Sequence, residues 1–161
     1  MSNLSTRWKF VILAITIGAV SVPLSLLIFP PPKLPPGMVL PPAALLALSG
    51  LKILEGAALG TGISFLVFGY AVLKGAGQPK PLTVLAYASI AWYLVSWWPH
   101  DNLHFVLGAS GAIYPLLAVE YAFHQTLIAG GVILAVFFYQ VMRQAASRSP
   151  RSRTPLEKES I

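Results

Sequence analysis

The run from Leu103 to Met142 carries one charged side chain, Glu120, and it is the longest of several apolar stretches that leave this chain few ways to fold. Hydrophobic residues make up 56% of the chain and charged residues only 10%. A water-facing domain has roughly 25% charged residues, so the exterior of this protein has to meet lipid. Its 161 residues give room for one domain. The expected fold is an all-α integral membrane protein, with four transmembrane helices and a short interfacial or re-entrant helix before the last span.

A short polar start, 1–9, carries Arg7 and Lys9 and is followed by an apolar run from Phe10 to Phe29. About 20 residues cross a bilayer. The run exceeds a signal-peptide core and no small-x-small cleavage site follows it, so it reads as a retained first span with a kink at Pro23. Prolines crowd residues 30–42 around Lys33 and Gly37, which dictates an extended connector outside the hydrocarbon. Pro41 and Pro42 suit the first turn of a second helix that runs to about Leu73. Its Gly56, Gly60 and Ser64 form a small-xxx-small stripe for close helix approach, within the chain or in a homo-oligomer. A Gly/Pro-rich turn with Lys74 and Lys80 leads to a third span, Leu82 to Trp98, ending in an aromatic cluster suited to the headgroup level.

One straight helix over 103–142 would measure about 60 Å, twice the hydrocarbon thickness. Gly108, Gly111 and Pro115 therefore point to a short helix over about 103–117 and a fourth span over about 118–142. The transmembrane domain is thus 10–142. Residues 143–161, with Arg148, Arg151, Arg153 and Lys158 among serines and prolines, read as a disordered cytoplasmic tail. Placing both termini and the 74–80 loop inside satisfies the positive-inside rule. The net charge of +6 resides in the ends and loops, which marks orientation and not a nucleic-acid groove. With no cysteine there is no thiolate metal site or disulfide.

The polar residues within the apolar framework are few. His100, Asp101 and His104 follow the third span, Glu120 and His124 begin the fourth, and Glu55 is the only acid of the second. The four-span topology brings all six to one depth on the non-cytoplasmic side. Helical i, i+4 spacing puts His100 with His104, and Glu120 with His124, on common faces. Three imidazoles with carboxylates suit a copper, zinc or iron ion, and ionisable residues inside a membrane protein mark functional sites. A b-type haem between His104 and His124 ranks below a bare ion, because no histidines pair at both membrane faces.

Each residue also has a plain structural explanation. His100 and Asp101 suit a helix cap beside Pro99, Glu120 and His124 suit an intrahelical pair, and Glu55 suits a pair with Lys52 three residues earlier. The leading expectation is an outer-side metal site serving redox chemistry or metal handling. Its alternatives are an accessory or assembly subunit of a larger membrane complex, and a metal-free acid/base enzyme acting on a lipid through Glu55 or Glu120.

Overall fold

The computed structural model describes residues 4–30, 37 and 39–148. These form five helices: α1 (Thr6–Ile28), α2 (Pro42–Lys74), α3 (Lys80–Val95), α4 (Trp97–Ser110) and α5 (Ile113–Arg148), with no strand among the described residues. α1, α2 and α5 are long and apolar enough to cross a membrane, whereas α3 is a shorter apolar helix. Most of the proline-rich connector and all of 149–161 lie outside the described residues.

Proline governs the boundaries. Pro42 opens α2, and Pro81 is the second residue of α3, where no intrahelical N–H is needed. α1 continues through Pro23 to Ile28. The third segment is where the sequence expectation and the structure part. α3 ends at Val95 and α4 starts at Trp97, with Ser96 between them in helical conformation. Pro99 has no N–H to offer the Val95 carbonyl. The ladder is carried past the joint by Ser96 N–H on the Trp92 carbonyl, 2.9 Å, and His100 N–H on the Ser96 carbonyl, 3.1 Å. α3 and α4 are therefore one helical line with a joint.

The short helix expected over 103–117 is instead α4, which stops at Ser110. Gly111 takes φ 70°, a left-handed helix stop that favours glycine. Pro115 does not end a helix; it sits in the first turn of α5, where its missing N–H is harmless. α5 extends through Arg148, so the first part of the basic tail, 143–148, is helical and not irregular. Gln144, Ala145 and Ala146 are good helix formers, and Arg148 complements the negative helix end.

Packing follows the logic of lipid-embedded helices, with small residues inside and large apolar ones outside. Ser21, Ser25, Ser64, Thr83, Ala86 and Ser89 are buried, while Leu27, Ile53, Val67, Ile128 and Tyr139 are exposed. α1 and α2 lie antiparallel and nearly touch backbone to backbone: a Cβ on Gly56 would stand 2.8 Å from the Gly18 carbonyl oxygen, and one on Gly60 would overlap that of Ala14. The glycine stripe thus serves contact within the chain. α2 packs on α3, and α3 on α5 through Trp92 to Thr126 and Tyr93 to the Leu127 carbonyl. Among the described residues α1 makes its extensive contact with α2 and none comparable with α5, so the helices form an open row. α4 bridges α2 and α5 at one end of that row.

Gly60→Ala should destabilise the protein by roughly 1–3 kcal/mol, because the added methyl meets backbone and not a movable side chain. Gly50→Ala, with open space around its Cβ, should leave stability unchanged or raised by up to about 1 kcal/mol. Thermal unfolding of the two variants in detergent distinguishes them, and equal melting would remove α1 as the partner of the stripe.

Candidate functional site

α4 carries two polar faces, and each meets a different helix. Toward α5, the His100 ring stacks on Phe123, centroids 3.7 Å apart and planes 17° from parallel. Phe123 is itself buried against Trp97. This stacking fixes the imidazole plane and aims its two nitrogens at two carboxylates. Nδ1 lies 2.9 Å from Asp101 Oδ1, and Nε2 lies 3.1 Å from Glu120 Oε1.

His104, one turn further along α4, places its Nε2 3.5 Å from the same Glu120 oxygen. His124, one turn along α5, donates from Nδ1 to the Glu120 backbone carbonyl at 2.7 Å, with that nitrogen 3.5 Å from Glu120 Oε2. All three histidines therefore surround one carboxylate. His100 is largely buried, whereas the side chains of His104 and His124 are 53% and 60% exposed.

A neutral imidazole has one N–H and one lone pair. With a carboxylate oxygen at each nitrogen of His100, one of the two contacts puts a lone pair against an oxygen unless a cation lies between them. The cation is a proton or a metal ion. When Nδ1–H donates to Asp101, Nε2 is the nitrogen left to take it, and the donation by His124 Nδ1 to a backbone carbonyl likewise leaves its Nε2 as the free nitrogen. Among the described residues, no three His, Asp or Glu side chains stand arranged around one ion position.

Glu55 belongs to a separate network on the opposite face of α4. Its Oε2 accepts from Lys52 Nζ at 2.9 Å and from Asn102 Nδ2 at 3.3 Å. Lys52 Nζ also donates to Asn102 Oδ1 at 2.9 Å, and Asn102 Nδ2 donates to the Trp98 carbonyl at 2.6 Å. Glu55 and Asn102 are both buried. The single six-residue cluster expected from the sequence is thus divided. His100, Asp101, His104, Glu120 and His124 come together, and Glu55 pairs with Lys52, the plain explanation given for it. Asn102 escaped the sequence reading because an uncharged amide between Asp101 and Leu103 carries no signal of its own. Its position four residues after Trp98, in a helix facing α2, is what gives it a role.

Compared with known families, curated proteins and solved structures, the chain matches no family model, no curated protein and no solved structure.

Asn102→Leu keeps the volume but leaves Lys52 and Glu55 without their bridge to α4, and should destabilise the protein by about 1–3 kcal/mol. His104→Ala, at an exposed position, should change stability by less than about 0.5 kcal/mol. Thermal melts of the two variants test this; a parent-like Asn102→Leu would mean that the amide does not tie α2 to α4.

Proposed function

We propose that this protein crosses the bilayer four times, the third time through the α3–α4 line, and binds a transition-metal ion at the α4–α5 junction. Both termini lie in the cytoplasm under this reading, and the site lies at the opposite face. His100 and His104 supply Nε2, Glu120 supplies Oε1, and the exposed His124 swings in as a further ligand. Asp101 holds His100 in the tautomer that leaves Nε2 free, the usual companion of a metal-ligating histidine.

The observation that supports the reading most is the approach of two imidazole nitrogens to one oxygen, at 3.1 and 3.5 Å. Ligand atoms around a tetrahedral zinc lie roughly 3.3 Å apart when the bonds are about 2.0–2.1 Å. These two separations are of that order, and the exposed side chains of His104 and His124 turn inward to complete the donor set. The nitrogen/oxygen donor set suits zinc, copper or iron. Metal handling is the role for zinc, and electron transfer is the added chemistry for copper or iron.

A second reading, an accessory subunit of a larger membrane assembly, draws on the open helix row. The buried residues of α5 are Phe123, Gly130 and Phe137, a single stripe, which leaves most of a long helix for lipid or for another membrane protein.

Detergent-purified protein titrated with zinc and with copper, and measured by elemental analysis after desalting, should retain about one ion per chain. His100→Ala and Glu120→Gln should lower affinity by roughly tenfold or more, and acidification should release the ion because protons compete for the imidazoles. Failure to retain zinc, copper or iron, or retention that His100→Ala does not alter, would exclude this site and move the accessory-subunit reading to the front.

A further inference from the structure

A cavity of about 450 Å³ opens between α1, α2 and α4, on the face of α4 turned from Phe123. Its volume falls in the usual range for small-molecule sites, which are mainly apolar with a few placed polar groups. Val22, Leu26, Leu48, Ile53 and Phe105 give it apolar walls. Leu26, Leu48 and Ile53 are exposed on the exterior of the helices, so the mouth faces the side that lipid covers. Lys52, Glu55 and Asp101 also line it.

Glu55 is only 3% exposed, and its Oε1 has no hydrogen-bond partner among the described residues. The other carboxylate oxygen is fully engaged by Lys52 and Asn102. A buried carboxylate oxygen without a donor is unfavourable by the desolvation of that atom, and here it belongs to a residue on the wall of an apolar cavity. Oε1 is itself buried, so a turn of the carboxylate toward the opening is what lets a hydrogen-bond donor delivered from the cavity complete it.

We infer that the cavity binds a neutral amphiphile with a hydroxyl head, a long-chain or isoprenoid alcohol or a diacylglycerol, whose O–H donates to Glu55 Oε1 while its chain lies along Leu26 and Leu48. The charges favour a neutral head over an anionic one. Glu55 and Asp101 set two carboxylates at the cavity against the one cation of Lys52, whose Nζ already donates to Glu55 and Asn102. Entry is lateral, from the bilayer, through the apolar mouth. The cavity shares Asp101 with the Glu120 cluster, but its hydroxyl acceptor, Glu55, is hydrogen-bonded to Lys52 and Asn102 and to none of the histidines, so binding does not depend on a metal there.

The test uses full-length protein in nanodiscs, treated with chelator so that metal plays no part. The probe is a diazirine-bearing hexadecanol, with the matched fatty acid and alkyl phosphate as comparison probes. The alcohol should label residues of α1 and α2 around Leu26 and Leu48 in preference to the other two, and unlabelled hexadecanol should compete. Ser49→Trp, at an exposed position on the cavity rim, should block labelling without touching the buried network. Glu55→Gln should weaken labelling by the alcohol roughly tenfold, the worth of one hydrogen bond to a charged acceptor, while leaving labelling by the matched methyl ether unchanged. Equal labelling by all three probes, indifferent to Ser49→Trp, would show that only bilayer chains occupy the cavity. Preference for the phosphate would overturn the hydroxyl head in favour of an anionic one held by Lys52.

Discussion

A carboxylate between apolar helices is tolerable only where donors or cations surround it. The end of this molecule where α4 meets α2 on one side and α5 on the other is built around two such groups. Glu55 recruits an ammonium from its own helix and an amide from α4. Glu120 recruits imidazoles from α4 and from its own helix. α4 supplies a partner to both carboxylates from opposite faces. It is therefore held in place by hydrogen bonds and ion pairs as well as by packing, in a region where large apolar side chains point mainly outward.

The backbone devices that put α4 there are few. Pro99 loosens the line that began as α3 without ending it, since Ser96 carries the hydrogen bonds past the joint. Gly111 turns the chain back by adopting a conformation that side chains with a Cβ disfavour. Between Ser96 and Gly111 lies a helix of 14 residues with an amide, an acid and two histidines, short enough for both of its faces to be used. The rest of the row, α1 against α2 through Gly18, Gly56 and Gly60, is a separate piece of close packing. It sets the wall of the cavity beside Glu55.

Much of this was legible in the sequence, for identifiable reasons. Long apolar runs with basic ends announce helices in lipid, and the i, i+4 spacings of His100 with His104 and Glu120 with His124 announce shared faces. The helix boundaries at Pro42 and Lys80 are written in proline. The segregation of Glu55 was weakly signalled by Lys52 three residues away, but its other partner, Asn102, depends on the rotation of α4 about its axis. That rotation is set by the geometry at Ser96 and Pro99, which no periodicity records. Gly108, Gly111 and Pro115 are all breakers on paper. Only the backbone shows that Gly111 makes the turn and that Pro115 opens the next helix. The glycine stripe announced that a helix approaches α2 closely, and not which helix, so the open row was not foreseeable.

In the proposed function, Glu120 and the three imidazoles act as one unit that exchanges protons for a metal ion. Nitrogen-15 NMR of histidine-labelled protein in nanodiscs, recorded as zinc is added, addresses that claim most directly. The account predicts that the Nε2 signals of His100 and His104 shift together at one equivalent, while the Nδ1–H signals of His100 and His124 persist on their oxygen acceptors. Histidine spectra that stay unchanged on zinc addition, or in which His100 and His104 respond at separate zinc concentrations, would contradict it.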